Sequence, residues 1–98
     1  MPFSFGNTGV GGAGPQQIRP ANSTRAYLRF QNCASGTIQL DIDPNVGSNG
    51  SAFQLQTGQM VEIFWERFGI LTTLAWYANA STPIGNLFWA EMRWEPSQ

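Results

Sequence analysis

Six carboxylates, five arginines, one cysteine and no histidine are what this 98-residue chain offers for chemistry. A serine or cysteine nucleophile of the familiar hydrolase type needs an imidazole base, so that class is closed. Cys33 stands between the end of one predicted strand and a turn, with no activating group marked nearby. It reads as a small half-buried hydrophobe and not as a nucleophile. A lone cysteine also excludes an internal disulfide framework and any multi-cysteine metal site. Paired carboxylates can hydrolyse glycosides. The acids here, Asp41, Asp43, Glu62, Glu66, Glu91 and Glu95, fall on the polar sides of alternating segments, where solvated carboxylates sit in any case, and their spacing carries no site motif. The stretch DIDPNVGSNG, Asp41 to Gly50, starts like a calcium loop, with oxygen ligands at alternate positions. An EF-hand needs glycine at the sixth position and glutamate at the twelfth. Val46 and Ala52 stand there instead, so the segment is expected to be a hairpin loop. No catalytic, cofactor-binding or metal-binding residue is assigned, and the chain is expected not to be an enzyme.

The residues suited to recognition are the aromatics and the arginines. Trp65, Trp76, Trp89 and Trp94 are more than the core of so small a domain absorbs. Strand parity turns Phe64 and Trp89 away from the main apolar face. Outward aromatics serve a sugar platform, a second sheet or a protein interface. A subunit interface is the favoured expectation, and carbohydrate stacking on Trp76, Trp89 or Tyr77 the second. Charged residues make up only 11 % of the chain, less than half the usual ~25 %. All the basic residues are arginine. Arginine tolerates interfaces where lysine is depleted, although arginine-rich codon usage would produce the same bias. A net charge of −1 leaves no electrostatic footprint for nucleic acid.

The elements that must position these residues are strands. Gln16 onward shows short apolar runs of period two, broken every eight to twelve residues by Gly, Pro, Asn or Ser. Strands are expected over 16–19, 26–31, 37–43, 52–56, 59–66, 71–78 and 87–94, with a helical turn possible only within 66–70. Residues 21–24, 33–36, 56–58 and 81–86 carry turn chemistry. The Asn-x-Ser/Thr triplets at Asn22, Asn49 and Asn79 are read as turn composition. Residues 1–15, MPFSFGNTGVGGAGP, are glycine-rich and without period, and are expected to form an extended arm. Phe3 and Phe5 would anchor that arm on a neighbouring subunit. The domain organisation is therefore an arm, 1–15, followed by one domain, 16–98, an all-β, small antiparallel β-sandwich or barrel of jelly-roll-like kind. No secretory apolar core and no apolar run near ~20 residues is present, so neither export nor a membrane span is expected.

Four stretches, QQIRPANSTRAYLRFQN, SGTIQLDID, GSAFQLQTGQ and LFWAEMRWEP, together resemble a family of small structural proteins of tailed bacteriophages. The resemblance covers Gln16 to Pro96. It rests on Asn22, Arg25, Phe30, Gln31, Asn32, Gly50, Leu55, Gly58 and Glu91 or Glu95, which it implies to be turn formers, core residues and an arginine tying two strands together. The high tryptophan content and the glycine-rich front segment depart from the family pattern and leave the position in the virion open. The resemblance implies a capsid decoration or cement protein, made in the bacterial host cytoplasm and carried on the virion surface. Its partners would be the major capsid protein and further copies of itself, as a dimer or trimer, with no nucleic acid and no membrane. Phe3, Phe5, Phe64, Trp89, Arg29 and Arg93 are the expected contact residues. A glycan- or receptor-binding module of a tail or head fibre is the alternative, followed by a head–tail connector or baseplate component.

Overall fold

A computed structural model describes residues 3–11, 14–46, 51–80 and 84–94. Among the described residues there are eight strands: β1 (Phe3–Gly11), β2 (Gln16–Arg19), β3 (Arg25–Asn32), β4 (Ile38–Asp41), β5 (Phe53–Leu55), β6 (Met60–Phe64), β7 (Trp76–Ala80) and β8 (Ile84–Arg93). One turn of helix, α1 (Trp65–Phe68), runs into a 3₁₀ turn over Gly69–Thr73. The strands form two antiparallel four-stranded sheets, in the orders β1-β8-β3-β6 and β2-β7-β4-β5. Both sheets are open, so the barrel alternative does not hold.

The period of two accounts for the core. Leu28 and Phe30 of β3 alternate with Tyr27, Arg29 and Gln31, and Ile38 and Leu40 of β4 alternate with Gln39 and Asp41. The buried residues of each pattern meet in one cluster fed by both sheets: Val10, Leu28, Phe30, Ile63 and Leu87 from the first, Ile18, Ile38, Leu40, Leu55, Trp76 and Ala78 from the second. Trp76, 2 % exposed, stacks on Phe53 with ring centroids 6.0 Å apart and donates from Nε1 to the Leu71 carbonyl at 3.1 Å.

Three expectations are corrected. The first concerns the arm. Phe3–Gly11 is a nine-residue strand of its own domain, paired with β8 from Phe3↔Met92 to Gly11↔Ile84. Of its residues on the inter-sheet side, Ser4, Gly6 and Thr8 are small or polar and only Val10 is apolar, so no hydrophobic alternation marks it. Gly6 has a packing reason: a Cβ there would lie 3.0 Å from Cζ2 of the Trp89 indole. The second correction concerns residues 71–75, expected to begin a strand. Leu71–Thr73 lie in the 3₁₀ turn and β7 starts at Trp76. The third is Trp65, which parity places inward beside Ile63. The strand ends at Phe64, and the helical turn carries Trp65 out to 43 % exposure.

Turns sit where their residues demand. The Gln59 N–H donates to the Gln56 carbonyl at 2.9 Å, and Gly58 between them takes φ +84°, a conformation that favours glycine. Asn32, fully buried, spans this corner. Its Nδ2 donates to the Gly36 and Leu55 carbonyls at 2.7 and 2.8 Å, and its Oδ1 accepts from the Ala34 N–H at 2.7 Å. Asn22 closes an Asx turn by accepting from the N–H and hydroxyl of Thr24.

Candidate functional site

The register of the first sheet sorts its side chains into two faces. Directly paired residues share a face, so the outer face consists of three rows running across all four strands. Phe3, Met92, Tyr27 and Phe64 form one row, Phe5, Ala90, Arg29 and Glu62 the next, and Asn7, Phe88, Gln31 and Met60 the third. Phe3 is 54 % and Phe5 65 % exposed, and Met60 and Trp94 are exposed as well. The rings form a chain, with Phe3–Phe5 centroids 5.7 Å and Phe5–Phe88 centroids 6.4 Å apart. At the other end of the first row, Phe64 meets Phe68 of α1 edge-on at 6.1 Å.

Beside that row the face is hollowed into a cavity of about 420 Å³ lined by Ala26, Tyr27, Glu62, Phe64, Glu66, Met92 and Trp94. The Tyr27 hydroxyl donates to Glu62 Oε2 at 2.6 Å. Burial, then the bond to Glu62 and that carboxylate's charge, push the Tyr27 phenol up to about 12, with Arg29 acting in the opposite direction. The cavity thus combines aromatic faces with two carboxylates and a phenol held protonated. Such a set can stack on flat apolar or sugar rings and accept hydrogen bonds. Among the described residues no group of three or more His, Cys, Asp or Glu is placed to hold a metal ion.

The inner face holds the opposite arrangement. Glu91 of β8 is fully buried between the sheets and meets three arginines. Arg19 reaches Oε1 with Nε and Nη2, each at 3.0 Å, while its guanidinium lies 3.8 Å above the Trp89 ring. Arg93 donates from Nη1 to Oε2 at 3.0 Å and to the Ser4 hydroxyl at 3.2 Å. Arg25, itself fully buried, places Nε 3.3 Å from Oε1, an ion pair whose angle makes no hydrogen bond. Its Nη atoms donate to the carbonyls of Pro20, Thr72 and Leu74, tying the loop after β2 and the approach to β7 onto the start of β3. Burial pushes the Arg25 guanidinium down, and the neighbouring Glu91 charge works against that.

The expected contact residues divide between these regions. Phe3, Phe5, Phe64 and Arg29 belong to the outer face. Trp89 and Arg93 do not: pairing with Phe30 turns Trp89 inward against the core, and Arg93 is engaged with Glu91. The parity reading of β8 is therefore inverted. Phe88, Ala90 and Met92 point outward, while Trp89 and Glu91 point between the sheets. The reason is that β8 is a central strand with aromatics on both faces, and a buried carboxylate tolerates its place because guanidinium groups surround it. Trp76 and Trp89 are accordingly removed as sugar platforms. Tyr77 lies on β7 of the other sheet, within 3.4 Å of Gln17 Nε2. Cys33 is exposed where half-burial was expected. Gly50 and Glu95 lie outside the described residues. In the acidic loop, Asp41 and Asp43 each accept from a backbone N–H of their own segment. The cavity residues Tyr27, Glu62, Glu66, Met92 and Trp94 went unread in the sequence. Only the register of β3 against both neighbours assembles Tyr27, Glu62 and Met92, and no local signal does.

No family model matches the chain, and neither a curated protein nor a solved structure matches it.

Proposed function

We propose that the chain is a non-enzymatic virion structural protein, a decoration or cement protein that binds the major capsid protein lattice of a tailed phage head. The observation that carries this reading is the outer aromatic face of the first sheet, Phe3, Phe5, Phe88, Met92 and Trp94. A contiguous exposed apolar face of that kind marks an interaction surface, and the chain's low charged content of 11 % fits a protein that spends its life against neighbours. The strand orders β1-β8-β3-β6 and β2-β7-β4-β5 are those of two Greek keys facing each other. We read them as a jelly-roll sandwich, an architecture used by viral capsid and lectin domains. Arg29 would pair with capsid carboxylates at the margin of the patch. The protein would be made in the host cytoplasm and act on the capsid surface by mass action. Binding only the assembled shell stabilises it by RT ln(1 + [L]/Kd) per site, ~3–4 kcal/mol at a hundred- to thousand-fold excess over Kd.

The test is co-sedimentation of the purified protein with expanded empty capsids assembled from the major capsid protein of the same genome. Wild type binds to saturation, and the double variant Phe5→Ser, Trp94→Ser loses most of its occupancy with an unchanged circular dichroism spectrum. Full occupancy by that variant, or no binding by wild type, overturns the reading. A second reading is favoured by one observation, the cavity in which Tyr27 and Trp94 face Glu62 and Glu66: a glycan-binding module of a fibre. Trp94-dependent retention on immobilised host polysaccharide, with no capsid binding, would select it.

A further inference from the structure

A sheet edge is a row of unpaired backbone N–H and C=O groups. Proteins that stay monomeric blunt such edges with charge, proline, bulges or brevity. Three of the four edges here are blunted. β5 has three residues, β2 has four with an irregular register before Pro20, and β6 has five, carries Glu62 and runs straight into α1. The fourth edge is β1. It is nine residues long, FSFGNTGVG, holds no charge and no proline, and pairs with β8 without any register shift. No strand pairs with its outer edge among the described residues; the one described side-chain bond to its backbone is from Gln16 Nε2 to the Gly9 carbonyl at 2.8 Å, which leaves that oxygen a second lone pair.

We propose that β1 pairs antiparallel with β1 of a second copy, about a two-fold axis through Asn7, joining the two β1-β8-β3-β6 sheets into one eight-stranded sheet. The residue pattern selects the partner and the register. Homotypic pairing brings like residues near the axis, so a strand bearing charges would repel its copy; this strand bears none. Outward residues are odd-numbered and inward ones even-numbered. A register pairing odd with even would set the outer face of one copy on the inner side of the other. Of the remaining registers, the one centred on Asn7 alone uses all nine residues. It sets Phe5 across from Gly9 and Phe3 across from Gly11 on the outer face, twice over by symmetry, and Ser4 across from Val10 on the inner face. Aromatic side chains lying over cross-strand glycines are a recognised means of restoring packing that glycine lacks. The chain already makes that arrangement once, where Trp89 covers Gly6 on the other side of the same strand. The aromatic rows of both copies become one continuous surface, with Phe3 and Phe5 of each at its centre. This interface does not rest on the virion reading and would form in the purified protein.

The axis makes a sharp prediction, because Asn7 faces Asn7. Directly opposed strand residues have Cα atoms ~4.5–5.5 Å apart, within disulfide range. In a Cys33→Ser background, Asn7→Cys forms a disulfide-linked dimer on mild oxidation. Phe5→Cys alone does not, and Phe5→Cys with Gly9→Cys does. In sedimentation equilibrium the unsubstituted chain is a dimer at tens of micromolar, and Phe5→Lys weakens the dimer at least tenfold while keeping its circular dichroism spectrum. Amide exchange in the unsubstituted chain gives an independent reading, with protection over 4–10 that rises with concentration. A monomer at every concentration overturns the proposal. So does a dimer whose Asn7→Cys form does not cross-link and whose β1 amides show no concentration dependence.

Discussion

Glu91 and Glu62 sit on neighbouring strands across β3, one on each face of the same sheet, and their surroundings could hardly differ more. Glu91 is fully buried among Arg19, Arg25 and Arg93, with Trp89 under one guanidinium. Glu62 is exposed, holds a phenol and lines an open aromatic cavity. Both regions are made of arginine, glutamate and aromatic side chains. Desolvation separates their roles. Between the sheets every charge is committed to a partner, so the group can only hold structure. On the outer face the groups keep unused bonding capacity and apolar area, which is what a partner reads.

Removing the charge of Glu91 tests that difference most strongly. Glu91→Gln keeps the shape but leaves three guanidinium groups without their counter-charge. It should cost ~3–5 kcal/mol in urea unfolding, whereas Glu62→Gln should stay within ~0.5 kcal/mol. Equal effects would erase the distinction between the faces. A smaller loss is expected from Gly6→Ala. Its methyl group meets the Trp89 indole at 3.0 Å, and overpacking of this kind costs ~1–3 kcal/mol. Trp89→Phe in the same molecule should recover part of that loss, read as non-additivity of the two changes. The smallest effect belongs to the outer face. With the folded-state Tyr27 phenol at about 12 and the unfolded one near ~10, the fold favours the protonated form. The stabilising contribution is whole below pH 10 and is lost as pH climbs toward 12. The stability difference between wild type and Tyr27→Phe should shrink over that interval, and a difference independent of pH would sever the link to Glu62.

Much of the fold was legible because β3, β4 and β6 each bury one face, and alternation such as Ile38/Leu40 against Gln39/Asp41 records that directly. β1 was illegible for the converse reason. Of its inward positions Ser4, Gly6, Thr8 and Val10 only the last is apolar; Ser4 meets Arg93 and Gly6 the Trp89 indole, so a true strand reads as a glycine-rich tail. In β8 both faces are apolar, and the charges of Glu91 and Arg93 pointed the parity the wrong way. A buried carboxylate is predictable only when its three partners, 72, 66 and two residues away, are known to converge. Arg25 was marked as a strand-tying residue by resemblance, but its reach to Pro20, Thr72 and Leu74 is a property of the assembled loops. The outer cavity is a product of register, which no single segment encodes.

The placement of β1 has a consequence in time. Among the described residues its only hydrogen-bonded strand is β8, so the earliest-made of these eight strands waits for the latest-made before it can join a sheet. Pairings of such long sequence separation close slowly. During synthesis the nascent chain therefore carries an uncharged, aromatic-tipped strand in the open, next to identical chains on the same messenger. Copies made side by side would meet first through these strands, so assembly between chains competes with, and can precede, completion of each chain's own fold.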